Sequence, residues 1–197
     1  MGNADNIKIG VKGRAYVAPV GTTFPTSPFV AWGTGWVDLG YMHPDGLEEA
    51  LGEDRTEIQA WGEEAPVKTR VKSRDGSFKM TFLETTADLL QLYYAVQADD
   101  MTSVPAVVGP PATAQYLSFG TGQASPGIER ALGIDIIEGD EIERIMIARV
   151  DVSDRGNRKR SADDSSSFEL TFKPLAAPSG GQAVQRFITN IELPDGS

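Results

Sequence analysis

The chain contains no cysteine and only one histidine, His43, among its 197 residues. Without cysteine it cannot form disulfide bonds, thiolate zinc sites or iron–sulfur clusters, and it has no thiol nucleophile. A single histidine excludes metal sites built from several imidazoles and leaves one candidate imidazole base. His43 lies in the sequence His-Pro-Asp-Gly, which is typical of a turn, and we interpret it as an exposed turn residue rather than as a base.

Basic residues are also scarce, with 18 Lys and Arg against 28 Asp and Glu and a formal net charge of −10. A protein that grips a phosphate backbone needs clustered Lys and Arg, so this charge balance disfavours nucleic-acid binding. No apolar run approaches the length that spans a membrane, and residues 1–6 lack the pattern of a signal peptide. With 40% hydrophobic residues, we expect a soluble, acidic, globular protein that is made in the cytoplasm and is not inserted in a membrane.

The motifs of the common enzyme classes are missing. The chain has no G-x-S-x-G elbow, no Walker loop and no H-E-x-x-H, and Gly120-Thr-Gly122 lacks the third glycine of a dinucleotide fingerprint. We therefore expect no enzymatic activity, no catalytic residue and no cofactor. Paired carboxylates of a hydrolase remain an alternative, because their geometry cannot be read from the sequence.

One group of carboxylates lies close together in the sequence and supplies the oxygen ligands that calcium prefers. Its spacing does not match an EF-hand loop, so a charged hairpin turn explains it equally well, and we expect no metal site. Its members are Asp135, Glu138, Asp140, Glu141 and Glu143.

Gly and Pro, 33 residues together, divide the chain into short segments, most of which alternate with period two. This pattern predicts a mainly β fold in a single domain over residues 1–197, with surface loops at about 19–35, 97–127 and 153–166. One helix is predicted over Thr85–Val96, with Thr85 as its N-cap. The predicted strands are 13–18, 36–39, 115–119, 132–137, 141–152, 167–173 and 184–191.

Residues 67–82 predict an antiparallel hairpin with one apolar face. Val67, Thr69 and Val71 alternate with basic residues, and Phe78, Met80 and Phe82 alternate with polar ones. Between these two runs lies Asp75-Gly76, a dipeptide that favours a hairpin turn.

An extended arm over about 46–62 is too charged to belong to the core of its own domain. A few large apolar residues are separated in it by many charged ones, an arrangement that suits contact with a partner. The basic row formed by Lys68, Arg70, Lys72 and Arg74 is either solvated or complementary to the acidic arm of a neighbouring copy. The candidate subunit-interface residues are Leu47, Glu49, Arg55, Glu57, Ile58 and Trp61.

Two further groups allow more than one interpretation. Arg155, Arg158, Lys159 and Arg160 form a basic run near several aspartates, and we interpret it as a solvated loop or a subunit contact rather than a nucleic-acid patch. Trp32, Trp36 and Trp61 could form a sugar-binding platform, although packing in a core or an interface is commoner for tryptophan.

Several stretches of the sequence resemble the major tail tube proteins of long-tailed (siphovirus-type) actinobacterial phages. These stretches are GRAYVAPVGTTFPTS, WVDLGYMHPDGL, EIQAWG, FKMTFLETTADLLQLYYA and, more loosely, the strands at 132–152 and 168–175. The resemblance implies two packed antiparallel β-sheets, arranged as a sandwich or barrel, with one flanking helix. It also implies a structural virion protein made in the host cytoplasm, which forms six-fold rings with copies of itself. Such rings stack into a tube, contact other tail proteins and conduct double-stranded DNA to the host without catalysis or cofactor.

The acidic net charge suits a conduit for DNA, because a basic lumen would retain the phosphates. The strand-spaced polar row Ser167, Glu169, Thr171 and Lys173 is our candidate for the lumen face, and an ordinary solvent face is its alternative. The alternative function is a monomeric β-sandwich that binds a carbohydrate or a host surface.

Overall fold

The computed structural model describes residues 7–122, 127–158, 160, 165–178 and 180–191. These residues form ten strands, one α-helix and a short 3-10 helix at Ala98–Asp100. The helix α1 is Ala87–Tyr94. The strands are β1 (Lys12–Ala18), β2 (Val37–Asp38), β3 (Met42–Ile58), β4 (Lys68–Phe82), β5 (Thr102–Val104), β6 (Tyr116–Ser118), β7 (Arg130–Glu138), β8 (Glu141–Arg155), β9 (Phe168–Pro174) and β10 (Val184–Ile188).

Eight of these strands form one antiparallel sheet in the order β2-β1-β7-β8-β9-β4-β3, with β10 also paired to β8. The long strand β8 pairs with β10 over Glu143–Ile147 and with β9 over Val150–Arg155, so β10 and β9 adjoin different parts of its length. Strands β5 and β6 form a separate two-stranded sheet. The predicted mainly β fold of two packed antiparallel sheets with a flanking helix is confirmed, and the described strands do not close into a barrel.

The core lies between the part of the sheet formed by β1, β7 and β8 and the part formed by β9 and β4. Alternating residues of these strands face inward. The largest aromatic side chains come from β4 and β9, and they meet aliphatic side chains from β7 and β8. Each of these buried side chains contributes about 1.5–3 kcal/mol relative to an exposed position. The fully buried members include Phe78, Phe82, Phe168, Phe172, Leu132, Ile134 and Ile145.

The helix packs on β9 near the end of β8. Its N-cap is Thr86, whose Oγ1 accepts a hydrogen bond from the Leu89 backbone at 3.3 Å, so the predicted cap at Thr85 is one residue too early. The Tyr93 ring lies edge-on to Phe168 at 5.2 Å, and the Tyr93 hydroxyl donates to the Gly156 carbonyl at 2.7 Å. These contacts fix the helix against the sheet.

The predicted turn at Asp75-Gly76 is wrong, because β4 runs through it without interruption and pairs with β3 along its length. The register shifts by one residue between the pairs Asp54–Ser73 and Arg55–Val71, which leaves Lys72 as an extra residue in a β-bulge. The bulge brings Val71 to the same face as Phe78. The change of phase between the two apolar runs therefore marks a bulge in one strand, and the hairpin turn lies between Ile58 and Lys68.

The predicted irregular crossing at 19–35 is held to the sheet by a buried arginine. Arg144 donates to the carbonyl oxygens of Ser27 at 3.1 Å and Val30 at 2.6 Å. The Trp32 indole donates to the Asp135 carboxylate at 2.8 Å, and its ring lies 4.6 Å from that of Trp36. Trp32 and Trp36 thus pack within their own chain.

Candidate interaction surfaces

Residues 48–75 form a hairpin that projects from the body of the molecule, and we call it the projecting hairpin. Every residue from Glu48 to Asp75 is exposed on both faces of this two-stranded ribbon. With about ten residues in each strand at about 3.3 Å per residue, it extends about 30 Å. Its large apolar side chains are not buried against their own chain, so contact with another molecule would be needed to bury them. The large exposed members are Leu51, Ile58, Trp61, Val67 and Val71.

The six residues predicted for a subunit interface all lie on this hairpin or at its base. Leu47 is half-buried at the base and packs against the core, and Glu49 forms an ion pair with Arg186 of β10. Ile58 ends β3, 49% exposed, and Trp61 is fully exposed in the turn. The remaining two are Arg55, which pairs with Glu53 at 2.6 Å, and Glu57, which lies opposite Thr69.

Part of the basic row is paired inside the hairpin. Arg74 lies 2.9 Å from Glu53, and Lys72 lies 3.6 Å from Asp54. The pKa of Glu53 is lowered, first by its hydrogen bond from Arg55 and then by the nearby positive charges of Arg55 and Arg74. These pairs are exposed, so they orient the two strands more than they stabilise them.

The other two members of the row, Lys68 and Arg70, have no acidic partner among the described residues. They lie opposite Ile58 and Thr56 in the register of β3 and β4. The adjoining turn, residues 59–67, carries two glutamates and no basic residue. The outer end of the hairpin therefore combines apolar side chains, a basic pair and an acidic turn.

A groove of about 360 Å³ opens at the base of the hairpin. Its walls come from the segment before β1, the start of β3, the β7–β8 turn and the end of β10, so four distant segments build it. No single stretch of the sequence carries the signature of this groove, because its lining residues lie far apart in the chain. Its apolar lining includes Met42, Leu47, Ile136, Ile142 and Ile188.

The rim of this groove is mainly acidic. The lining includes four carboxylates against two lysines, and one lysine, Lys8, is already paired with Glu141. The pKa of Glu141 is lowered by hydrogen bonds from Asn190 and from Lys8. The other three carboxylates are Asp45, Glu138 and Glu143, and the other lysine is Lys12.

The predicted lumen row occupies the outer face of β9, away from the core. Glu169 lies 3.2 Å from Lys79, and Lys173 lies 3.3 Å from Asp75. The hydrogen bond with Glu169 raises the pKa of Lys79. Thr171 lies opposite Lys79 on β4, and Ser167 precedes β9 in a half-buried position.

Further carboxylates from β3 and β8 share this outer face. Glu48 lies opposite Lys79, Asp151 opposite Lys173, and Asp154 opposite Thr171. Carboxylates therefore outnumber lysines on this part of the sheet, and the face is hydrophilic with an acidic balance.

The carboxylates considered for calcium do not converge. Among the described residues, no group of His, Asp and Glu has a geometry that could hold a metal ion. Asp135 is buried against Arg144, Glu141 pairs with Lys8, and Glu138 accepts a hydrogen bond from the Ile9 backbone at 2.6 Å.

The basic run at the end of β8 packs within its own chain where the structure describes it. Arg155 donates to the Leu92 carbonyl at 3.0 Å, and Arg158 stacks over Phe168 at 4.1 Å. Arg155 thus satisfies a carbonyl near the end of the helix, and Arg158 also donates to the Tyr94 hydroxyl at 3.3 Å. Both side chains are therefore packed rather than solvated as predicted. Arg160 is exposed, and Lys159 lies outside the described residues.

The remaining candidate residues are His43 and the three tryptophans. His43 lies in β3, 3.0 Å from Asp45, and the predicted turn there is part of the strand. Trp61 makes no ring contact with another aromatic side chain in the described part of the chain, so the three tryptophans form no common platform. No helix among the described residues is long and apolar enough to cross a bilayer.

A family model described as phage tail tube protein matches residues 1–193, which is nearly the whole chain. No curated protein sequence matches the chain.

Proposed function

Because this chain belongs to the phage tail tube protein family, we propose that its copies assemble into six-fold rings that stack into a tube for double-stranded DNA. Membership makes it a structural component of the virion tail rather than an enzyme, and it implies assembly with itself and with other tail proteins. The stretches of sequence quoted above extend the proposal to a long-tailed phage of an actinobacterial host. In this proposal residues 1–197 act as one tail-tube domain.

The observation that carries the proposal is the projecting hairpin at an open sheet edge. Among the strands that the structure describes, β3 pairs with β4 on one side only, so the other edge of this 17-residue strand has no partner there. Exposed edges of this length favour pairing with another chain. Pooling strands from several copies in one barrel removes such edges, and identical head-to-tail contacts then give rings or filaments.

The outer face of β4 and β9 suits the lumen of this tube. In the proposal Ser167, Glu169, Thr171 and Lys173 face the DNA, together with the neighbouring carboxylates of β3 and β8. An acidic hydrophilic surface repels phosphates, so the DNA passes without being retained. The outer face of β4 and β9 is hydrophilic and, with the neighbouring residues of β3 and β8, carries more carboxylates than lysines.

The alternative, a monomeric module that binds a carbohydrate, has less support. Its platform would need open aromatic faces, but Trp32 and Trp36 stack on each other and on Tyr16 and Phe24 within the chain. That arrangement leaves Trp61 alone, on a hairpin tip that resembles an assembly element rather than a sugar site.

Negative-stain electron microscopy over a concentration series tests the proposal. We expect rings with a central hole and stacked tubes from the full chain. A matched variant, in which residues 51–76 are replaced by a two-residue Asn-Gly turn that keeps Ala50 opposite Ser77, should fold and remain monomeric. Uniform small particles from the full chain at every concentration, also after addition of preformed tail-tip complexes, would contradict the proposal.

A further inference from the structure

We propose that the groove at the base of the projecting hairpin is the receptor for the outer end of the same hairpin from a second copy. The outer end comprises residues 56–70, and the groove is the one lined by β3, β10 and the β7–β8 turn. This inference rests on the proposed self-assembly and specifies which two surfaces meet.

The outer end carries apolar area that its own chain leaves in water. Trp61 is fully exposed, and Ile58 and Val67 on either side of the turn are about half exposed. An exposed tryptophan flanked by aliphatic side chains has the composition of an interface hot spot.

The groove offers a matching apolar surface. Leu47, Ile142 and Ile188 are among its lining residues. Its volume of about 360 Å³ lies at the lower end of the range of about 300–1,000 Å³ for pockets that bury a ligand. A large side chain with one aliphatic neighbour is an occupant of suitable size and chemistry.

A hairpin cannot fill the groove of its own chain. β3 leaves the groove at Leu47, and its pairing with β4 continues to Ile58 and Lys68. This pairing holds the turn about 30 Å from the groove at about 3.3 Å per residue. The occupant must therefore come from a second copy. The contact joins two different surfaces, so where it repeats head-to-tail it gives a ring or a filament, and only a reciprocal exchange of hairpins would close a dimer.

One face of the tip is complementary in charge to the groove. Lys68 and Arg70 have no acidic partner among the described residues and share a ribbon face with Ile58, whereas Glu57 lies on the opposite face. The tip as a whole carries three glutamates against these two cations, so the proposed contact uses the basic face and leaves Glu63 and Glu64 of the turn away from the rim. On the groove, pairing of Lys8 with Glu141 leaves three carboxylates against Lys12. Seating the tip would place the basic pair beside this acidic rim, and opposite charges of this kind fix the register of an interface.

Cross-linking tests the contact, and the absence of native cysteine makes it clean. One population carries Gln59→Cys in the turn, which keeps Trp61, and the other carries Ile188→Cys in the groove. The two are mixed, assembled and treated with a short bis-maleimide, so a link between a tip and a groove can form only between copies. Val108→Cys, fully exposed and outside the groove, replaces Ile188→Cys in the control.

We expect the tip-to-groove pair to give linked dimers at least about tenfold more than the control pair. Tubes in which the tip links to Val108→Cys as well as to Ile188→Cys, or not to the groove at all, overturn this inference and leave the proposed function standing. A lack of tubes in the uncross-linked full chain overturns the proposed function, and the inference with it.

A charge exchange provides the second test. Lys68→Glu with Arg70→Glu should raise the protein concentration needed for assembly by about tenfold or more, and adding Asp45→Lys with Glu143→Lys should restore it. The control Lys72→Glu with Arg74→Glu changes the net charge equally but breaks pairs within the hairpin. Equal loss in both variants, or no rescue, contradicts seating of the tip in the groove and leaves a different occupant, such as another tail protein.

Discussion

The guanidinium group of Arg144 forms a double ion pair with the carboxylate of Asp135, at 2.7 and 2.8 Å, where the two residues face each other on β8 and β7. Arg144 is 4% exposed and Asp135 5% exposed. The same guanidinium lies 4.6 Å from the Trp32 ring and donates to backbone carbonyls of the loop at 19–35. This pair therefore attaches a long loop to the sheet as well as joining two strands.

Replacement of Arg144 should destabilise the monomer strongly. Arg144→Met keeps the volume but leaves the Asp135 carboxylate buried without its counter-charge, which costs about 3–5 kcal/mol of unfolding free energy. Urea denaturation followed by circular dichroism measures this loss. The control is Arg14→Met at an exposed pair with Asp38, where we expect a change below about 1 kcal/mol. Equal losses of unfolding free energy in the two variants would show that the buried pair contributes no more to stability than the exposed pair.

Gly133 should tolerate no side chain, because the Trp32 ring lies against its backbone. A Cβ atom at this position would lie closer than 3.0 Å to three ring atoms of Trp32. Gly133→Ala must move the indole away from Asp135, at a cost of about 1–3 kcal/mol. We expect a lower urea midpoint and a shift in tryptophan fluorescence. Gly120→Ala, where a Cβ meets nothing within 4 Å, is the control and should change neither.

Most of the sheet could be predicted because one face of each strand is buried. The alternation in β9, with Phe168, Leu170 and Phe172 inward, is a direct consequence of a half-buried strand. The strand pair β7 and β8 was predicted from its apolar content, and the exposed arm from its density of charge.

Features that depend on pairing could not be predicted in this way. The bulge at Lys72 changes the phase of the alternation, and a phase change looks the same as a turn when only the sequence is read. The groove and the Arg144–Asp135 pair join segments far apart in the chain, so no local spacing marks them. The polar row on the outer face of β9 could be predicted from its alternation. Whether this row faces a lumen could not be predicted, because an outer surface and a lumen select the same polar residues.

Substitutions at the hairpin turn should weaken assembly and leave the monomer intact. Trp61→Ala combined with Glu57→Lys removes an exposed indole and reverses an exposed charge, and neither side chain packs in the core. We expect an unchanged urea midpoint and a marked loss of rings and tubes in sedimentation velocity. Normal assembly of this double variant would mean that the hairpin serves its own domain instead.

The pair between Glu129 and Arg149 should give a pH-dependent contribution to stability. The hydrogen bond from Arg149 lowers the pKa of Glu129, so the folded state binds its proton less readily than the unfolded state. The contribution is therefore present at neutral pH and is lost as the pH falls through the lowered pKa of the folded state. In urea titrations at a series of pH values, Glu129→Gln should be less stable than the parent at pH 7. The difference should vanish at low pH, and a constant difference would contradict the linkage.

A basic outer face on β4 and β9 should hinder DNA passage if this face lines the lumen. Thr81→Lys and Thr171→Lys add two positive charges beside Lys79, and neither position faces the core. Phage particles carrying both substitutions should assemble, because the core and the hairpin are unchanged, but they should release DNA more slowly. Since lysines bind phosphates by displacing counterions, the delay should shrink as salt is raised. The matched control carries Thr102→Lys and Ser118→Lys, which face each other in the small β5–β6 sheet and add the same charge. An equal delay in both variants would trace the effect to net charge and place the lumen on another face.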